Sequence, residues 1–97
     1  MKIRILGCGG SFGSPLAWKR NGNIDINNSR NFRTRSSVLI SENNQNLLID
    51  TSPDLRLQLY NARCTNIEAV LYTHIHSDHV SGLPDMRAIS LINNKII

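Results

Sequence analysis

The segment THIHSDHVSG, residues 73–82, places three histidines and one aspartate within six positions, directly after the apolar run EAVLYT. Folding alone does not call for that density of imidazole and carboxylate. A chain that carries it must deliver a strand end and the following turn to one place. A strand expected at 68–73 and running on through His76 would point His74 and His76, two residues apart, to the same side. They would then grip one ion. Asp78 and His79 fall where the chain turns into the next element, within reach of a second ion about 3.5–4 Å from the first. The pattern therefore predicts two divalent cations. Imidazole with carboxylate suits zinc, with manganese and iron as competitors. Gly82 with the small Ser77 and Ser81 would leave the backbone room to bend around the ions.

The elements around this motif follow from local pattern. KIRIL alternates polar and apolar residues and predicts a strand at 2–6, while SVLI and NLLID flank the turn-forming SENNQ and predict a hairpin at about 36–50. In TSPDLRLQLYNAR, Ser52 can cap, Pro53 suits the first helical position and Asp54 favours the positive helix start. With Leu55, Leu59 and Ala62 at helical spacing, a helix is expected at about 53–62. LPDMRAISLI repeats that grammar, with Pro84 and Asp85 ahead of Met86 and Ile89. Residues 7–35 show no periodicity, and loops that long in compact domains are functional or disordered. Trp18 is expected to pack locally there. Arg30, Arg33 and Arg35 are candidates for phosphate contact, with a solvated basic loop as the equal alternative. GCGGSFG follows a strand, but Phe12 stands where a dinucleotide fingerprint needs glycine, so a tight turn bordering a cleft is the better reading.

Composition sets the outer limits. A chain of 97 residues is at most one domain with a thin core. Eleven Lys and Arg against seven Asp and Glu give a net charge of +4, which suits an anionic substrate without requiring one. Cys8 and Cys64 form neither a Cys-x-x-Cys pair nor a secreted framework, and each is expected to be a small buried thiol in a reducing compartment. With no signal peptide pattern in MKIRILGCGG and no run of membrane-spanning length, a cytoplasmic protein is expected.

Thr73, His74, His76, Asp78, His79 and Gly82 match in full the signature Thr-His-x-His-x-Asp-His-x-x-Gly, and on these residues the chain resembles the metallo-beta-lactamase-fold hydrolases. GCGGSFGSP, RTRSSVLI, LLIDTSPDLRLQL and LYTHIHSDHVSGLPDMRA extend the resemblance to the subgroup of PhnP-type cyclic phosphate phosphodiesterases. The resemblance implies an α/β fold, the N-terminal half of an αββα sandwich, with a mixed sheet and flanking helices. It implies that His74 and His76 bind one metal, that Asp78 and His79 bind the other, and that Asp50 supports the site from beneath. It also implies hydrolysis of a phosphodiester, a small molecule rather than nucleic acid, with no membrane partner. In such a site two cations activate a water against phosphorus and stabilise the departing oxygen. Asp78 is the candidate proton acceptor, with ligation as its first task.

Two departures shape the expectation. Ile24, Ile26, Ser29 and Ser36 stand where relatives of the subgroup carry cysteine and proline, so an extra metal or loop rigidity is not carried over. The family completes its site with a further histidine, a bridging aspartate and a final histidine from later segments. No histidine follows His79, and Asp85 lies too near the motif to bridge. Residues 1–97 are thus expected to be one partial domain, its inner sheet face open to water. Three readings follow: a truncated and inactive hydrolase, one subunit of a two-chain hydrolase whose partner supplies the missing half, or a non-catalytic metal-binding module. The exposed sheet face predicts poor solubility for the isolated chain. Size-exclusion chromatography with thermal melting checks this: association or aggregation is expected, and a monodisperse, cooperatively melting monomer would refute it.

Overall fold

A computed structural model describes residues 1–17 and 22–97 of the chain. Trp18 lies outside the described residues. The strands are β1 (Lys2–Gly7), β2 (Ser37–Glu42), β3 (Gln45–Ile49) and β4 (Ala69–Leu71), and the α-helices are α1 (Leu55–Asn61), α2 (Ser77–Val80) and α3 (Met86–Asn93). Single 3-10 turns cover Ser29–Asn31 and Leu83–Asp85. The strands form one mixed sheet in the order β1-β2-β3-β4, antiparallel except for the parallel pair β3 and β4.

Local chemistry accounts for each junction. The β2–β3 hairpin turns on Asn43 and Asn44, both in the left-handed region (φ 51° and 62°), the conformation that two-residue hairpins need and asparagine tolerates. Parallel β3 and β4 need a crossover, and α1 supplies it. The Ser52 hydroxyl accepts from the Asp54 N–H at 3.1 Å and donates to Gln58 Oε1 at 2.7 Å, so Ser52 organises the turn before α1. Asp54, not Ser52, stands at the N-cap position of α1, and its side chain makes no capping bond. Its carboxylate is drawn away by Arg35, which donates from its backbone N–H at 2.9 Å, from Nε at 2.7 Å and from a terminal nitrogen at 3.0 Å. Arg35 is therefore held as a strut between the long loop and α1, and this removes it from the candidates for phosphate contact.

The core lies on one face of the sheet. Leu55 and Leu59 of α1, with Ala62 beside them, cover Leu39 and Leu48, while Ile67, Met86 and Ile89 close the cluster. The opposite face follows from the register: Ile3 pairs with Ile40, Ile5 with Val38, Ile40 with Leu47, Leu47 with Ala69 and Ile49 with Leu71. Every one of these side chains is apolar, and Ile3, Ile5 and Leu71 are more than half exposed. Gly7 closes the long loop onto the core. A Cβ there would lie 2.2 Å from the Arg35 carbonyl and 2.6 Å from Gln58 Nε2, so glycine serves close approach at this position.

The two thiols differ from expectation and from each other. Cys8 is exposed, because the turn after β1 faces outward. Cys64 is half-buried beside the core, and that burial pushes its thiol pKa up.

Leu55 is fully buried, whereas Leu57 on the same helix is 45 % exposed. Leu55→Ala is expected to destabilise the fold by about 2–5 kcal/mol and Leu57→Ala by about 0.5 kcal/mol or less. Paired thermal or urea melts check this, and equal losses would show that the core is misassigned.

Candidate metal centre

The site forms where β3 and β4 end side by side. The strand through His76 is not observed. β4 stops at Leu71 because its partner stops: β3 ends at Ile49, and Asp50 turns into the left-handed region at φ 62°. The Asp50 N–H takes the Leu71 carbonyl at 2.8 Å, and no ladder remains for residues 73–76. The side chains of His74 and His76 therefore owe their meeting to a turn, with His76 extended (φ −62°, ψ 146°) at the start of α2.

Asp50 anchors this turn. Its Oδ1 accepts from the Thr73 N–H at 2.8 Å, and its Oδ2 accepts from the Thr73 hydroxyl at 2.7 Å and from His79 Nδ1 at 2.8 Å. Burial alone would raise its pKa. The hydrogen bonds from Thr73 and His79 outweigh burial and hold the carboxyl below its ordinary value. The adjoining residues lock the same two segments together. The Thr51 N–H donates to the His79 carbonyl at 2.9 Å, the Gly82 N–H donates to the Thr51 carbonyl at 3.0 Å, and the Thr51 hydroxyl meets the Tyr72 hydroxyl at 2.9 Å. Gly82 has an ordinary φ of −81°. A Cβ there would lie 1.9 Å from the Ser52 carbonyl oxygen, so Gly82 serves the packing of two chain segments and not a bend around ions.

Hydrogen bonding sets which ring nitrogens are free. Because the Thr73 hydroxyl donates to Asp50, it accepts from His74 Nδ1 at 2.9 Å, which leaves His74 Nε2 with its lone pair. His79 Nδ1 donates to Asp50, which leaves His79 Nε2 free in the same way. His74 Nε2 stands 3.1 Å from His76 Nδ1, and His79 Nε2 stands 3.2 Å from Asp78 Oδ2. Two ligands of one tetrahedral zinc stand about 3.3 Å apart, so each pair has the spacing of two donors to one cation. The rings of His74 and His79 lie 4.1 Å apart between centroids, which sets the pairs next to each other. Donors come in twos: among the described residues, no three His, Cys, Asp or Glu side chains form a group that could hold an ion.

All four expected ligands, with Asp50 beneath them, are thus in one place, and Arg35 is not. The Thr73 hydroxyl, which orients His74, is a role that pattern reading missed. Its signal was the threonine directly before the first histidine.

A family model, that of the anti-Pycsar protein Apyc1, matches residues 1–95. The chain belongs to that family. Among solved structures, this Apyc1-family chain is similar to a diphosphatase of the PhnP family, with 35 % identity, a TM-score of 0.85 and coverage of 91 % of this chain and 35 % of that one. It is also similar to Zn2+-bound PqqB from Methylobacterium extorquens, with 28 % identity, a TM-score of 0.73 and coverage of 90 % and 36 %. A metallo-beta-lactamase fold protein, YhfI from Bacillus subtilis, shares the fold at 18 % identity and a TM-score of 0.67, over 95 % of this chain and 31 % of that one. Two curated relatives are an octanoyltransferase from Porphyromonas gingivalis, 40 % identical over 92 % of this chain and 18 % of the relative, and a ribonuclease Z from Clostridium kluyveri, 30 % identical over 89 % and 24 %. The fold is that of the metallo-beta-lactamase proteins, and the chain spans about a third of the solved relatives and about a fifth of the curated ones. Among the described residues, no helix is long and apolar enough to cross a membrane.

Asp50→Asn puts an N–H donor against groups that already donate to this carboxylate. His79 is then expected to move its proton to Nε2, and zinc affinity to fall about 10–100-fold. Nitrogen-15 spectra of the imidazoles and zinc titration check this, and an unchanged His79 tautomer would refute the role given to Asp50.

Proposed function

We propose that the chain carries part of the active centre of a metal-dependent hydrolase acting on phosphodiesters, with a small-molecule substrate favoured over nucleic acid. The observation that carries this reading is the pair of two-donor sets, His74 with His76 and Asp78 with His79, side by side over one shared carboxylate. Similarity to a PhnP-family diphosphatase and to a ribonuclease Z supports substrates that carry phosphoryl groups. Similarity to a Zn2+-bound protein supports zinc. The choice of phosphodiester rests on the motif resemblance.

In this reading His74 and His76 hold one divalent cation, and Asp78 and His79 hold the second. Such cations supply Lewis-acid stabilisation of phosphoryl oxygens and an activated water. The chain's own residues do the rest. Asp50 and Thr73 keep the rings of His79 and His74 turned with Nε2 outward. The Asp78 side chain keeps 15 % of its surface accessible and stands ready to take a proton, although ligation is its first task. Two donors per cation leave coordination positions for water, for further polypeptide or for a partner chain. This favours reading residues 1–97 as part of a larger domain over a self-sufficient metal-binding module. The apolar sheet face bearing Ile3, Ile5 and Leu71 supports the same assignment, since a second sheet would cover it.

Zinc content and hydrolysis of bis(4-nitrophenyl) phosphate test this, measured on the chain alone and with a chain that supplies further His and Asp donors. Hydrolysis is expected only in the pairing, and His76→Ala is expected to remove one zinc and lower the rate on the order of 100-fold. Zinc binding that is indifferent to His74→Ala and His76→Ala would refute the ligand assignment. Activity of the lone chain would refute the need for further donors.

A further inference from the structure

A polar cavity lies at the end of the sheet opposite the histidine cluster. Lys2 and Arg4 alternate onto the helix-covered face of β1, and the register carries that row from Lys2 across to Ser41 and from Ser41 to Asn46. Beyond the end of α1, Arg63, Cys64 and Asn66 complete the wall of a cavity of about 130 Å³. Water occupies about 30 Å³ per molecule, so the space holds about four waters or one small tetrahedral oxyanion. Asn46 is four residues from Asp50 along the strand direction, roughly 13 Å at the rise of extended chain, which separates this cavity from the histidine cluster.

Its charge is unbalanced. Lys2, Arg4 and Arg63 line the cavity and no carboxylate does. The nearby acids are engaged elsewhere: Glu42 faces the Met1 amino group at 3.7 Å, and Glu68 is paired with Lys95. Among the described residues, none of these three cations has a carboxylate partner. Arg63 also sits at a backbone position where glycine is the usual residue. It follows the helix end at φ 52°, in the left-handed region, where a long side chain costs conformational energy that glycine avoids. The cavity's polar neighbours are already ordered, with the Ser41 hydroxyl donating to Asn46 Oδ1 at 2.5 Å and Asn46 Nδ2 donating to the Asn66 carbonyl at 3.0 Å.

We infer that this cavity is an anion site for a phosphate group, remote from the metal centre, with Lys2, Arg4 and Arg63 as its cationic donors. Guanidinium and ammonium groups without carboxylate partners bind phosphate oxygens by charge-assisted hydrogen bonds, and arginine suits the tetrahedral anion through its paired N–H groups. The ligand is either free phosphate or the phosphate of a small phosphomonoester, since the cavity admits the anion and leaves any substituent outside. The assignment stands independently of the proposed hydrolase activity.

The test is a titration of the EDTA-treated chain with inorganic phosphate and, in a second arm, glycerol phosphate, followed by amide nitrogen-15 spectra. Saturable shifts are expected at Lys2, Ser41, Asn46, Arg63 and Cys64 and not at residues 73–79. Tighter binding of glycerol phosphate would assign a phosphorylated small molecule, and equal or weaker binding would assign free phosphate. Arg63→Gly relieves the left-handed position, so the variant should fold while binding weakens about tenfold, the loss expected for one charge-assisted hydrogen bond. Lys2→Gln should weaken binding in the same direction, and Arg87→Gln on α3 should leave it unchanged. Shifts that grow without saturating, or affinity unchanged in both Arg63→Gly and Lys2→Gln, would overturn the assignment.

Discussion

A single carboxylate governs the end of this sheet. Asp50 leaves β3 in a left-handed conformation, an arrangement that costs of order 1–2 kcal/mol for a residue other than glycine and that aspartate tolerates better than most. The turn aims its side chain at the start of the histidine segment, where it collects three hydrogen bonds from Thr73 and His79. Those bonds keep it charged despite burial. A backbone irregularity in one strand thereby becomes the orientation of two imidazoles in another. Strain at the end of β3 and order around the donor pairs are one feature of the molecule.

The rest of the fold holds that end in place. α1 bridges β3 and β4 and makes them parallel, so both strands finish at the same edge. The turn into α1 is held by Ser52 and Gln58, and the long loop after β1 is tied to the same turn by Arg35 on Asp54. Gln58 reaches the loop again, donating to the Arg35 carbonyl at 2.8 Å and to the Thr34 hydroxyl at 2.9 Å. Polar struts do this work because Phe12, Ile26 and Phe32 of the loop between Gly7 and Arg35 are more than half exposed and do not anchor it to the core. The core beneath is small, and the sheet's second face is apolar apart from the Glu42–Gln45 pair at its hairpin end, a surface of the kind that a second layer packs against.

Charge is also arranged along the sheet. At one end, the carboxylates of Asp50 and Asp78 gather with the imidazoles of His74, His76 and His79. At the other, Lys2, Arg4 and Arg63 gather without acids. The net charge of +4 is not spread evenly along the chain: the segment between Gly7 and Arg35 carries Lys19, Arg20, Arg30, Arg33 and Arg35 against Asp25 alone. Arg35 is neutralised by Asp54, and Arg33 rests beside the Cys8 sulfur at 3.5 Å.

By itself the sequence determined the elements and the inventory of candidate donors. Alternation, apolar runs, the SENNQ turn and the Ser-Pro-Asp helix start are local signals, and local hydrogen bonding and side-chain burial enforce them. The hairpin and the helix over Leu55–Asn61 stand within a few residues of expectation for that reason. The histidine motif likewise gathers its four candidate donors, His74, His76, Asp78 and His79, within six positions. Only the tertiary structure decided how those donors meet. The strand expected through His76 ends at Leu71, because a strand persists only while its neighbour offers a ladder and β3 stops at Asp50. The bond from Thr73 to Asp50, the free nitrogen of His79, the diversion of Asp54 and Arg35 into a strut and the close approach that requires Gly82 all arise between residues more than ten positions apart. Pairings over such distances are set by which segments the packed core brings together, and no periodicity along the chain encodes them.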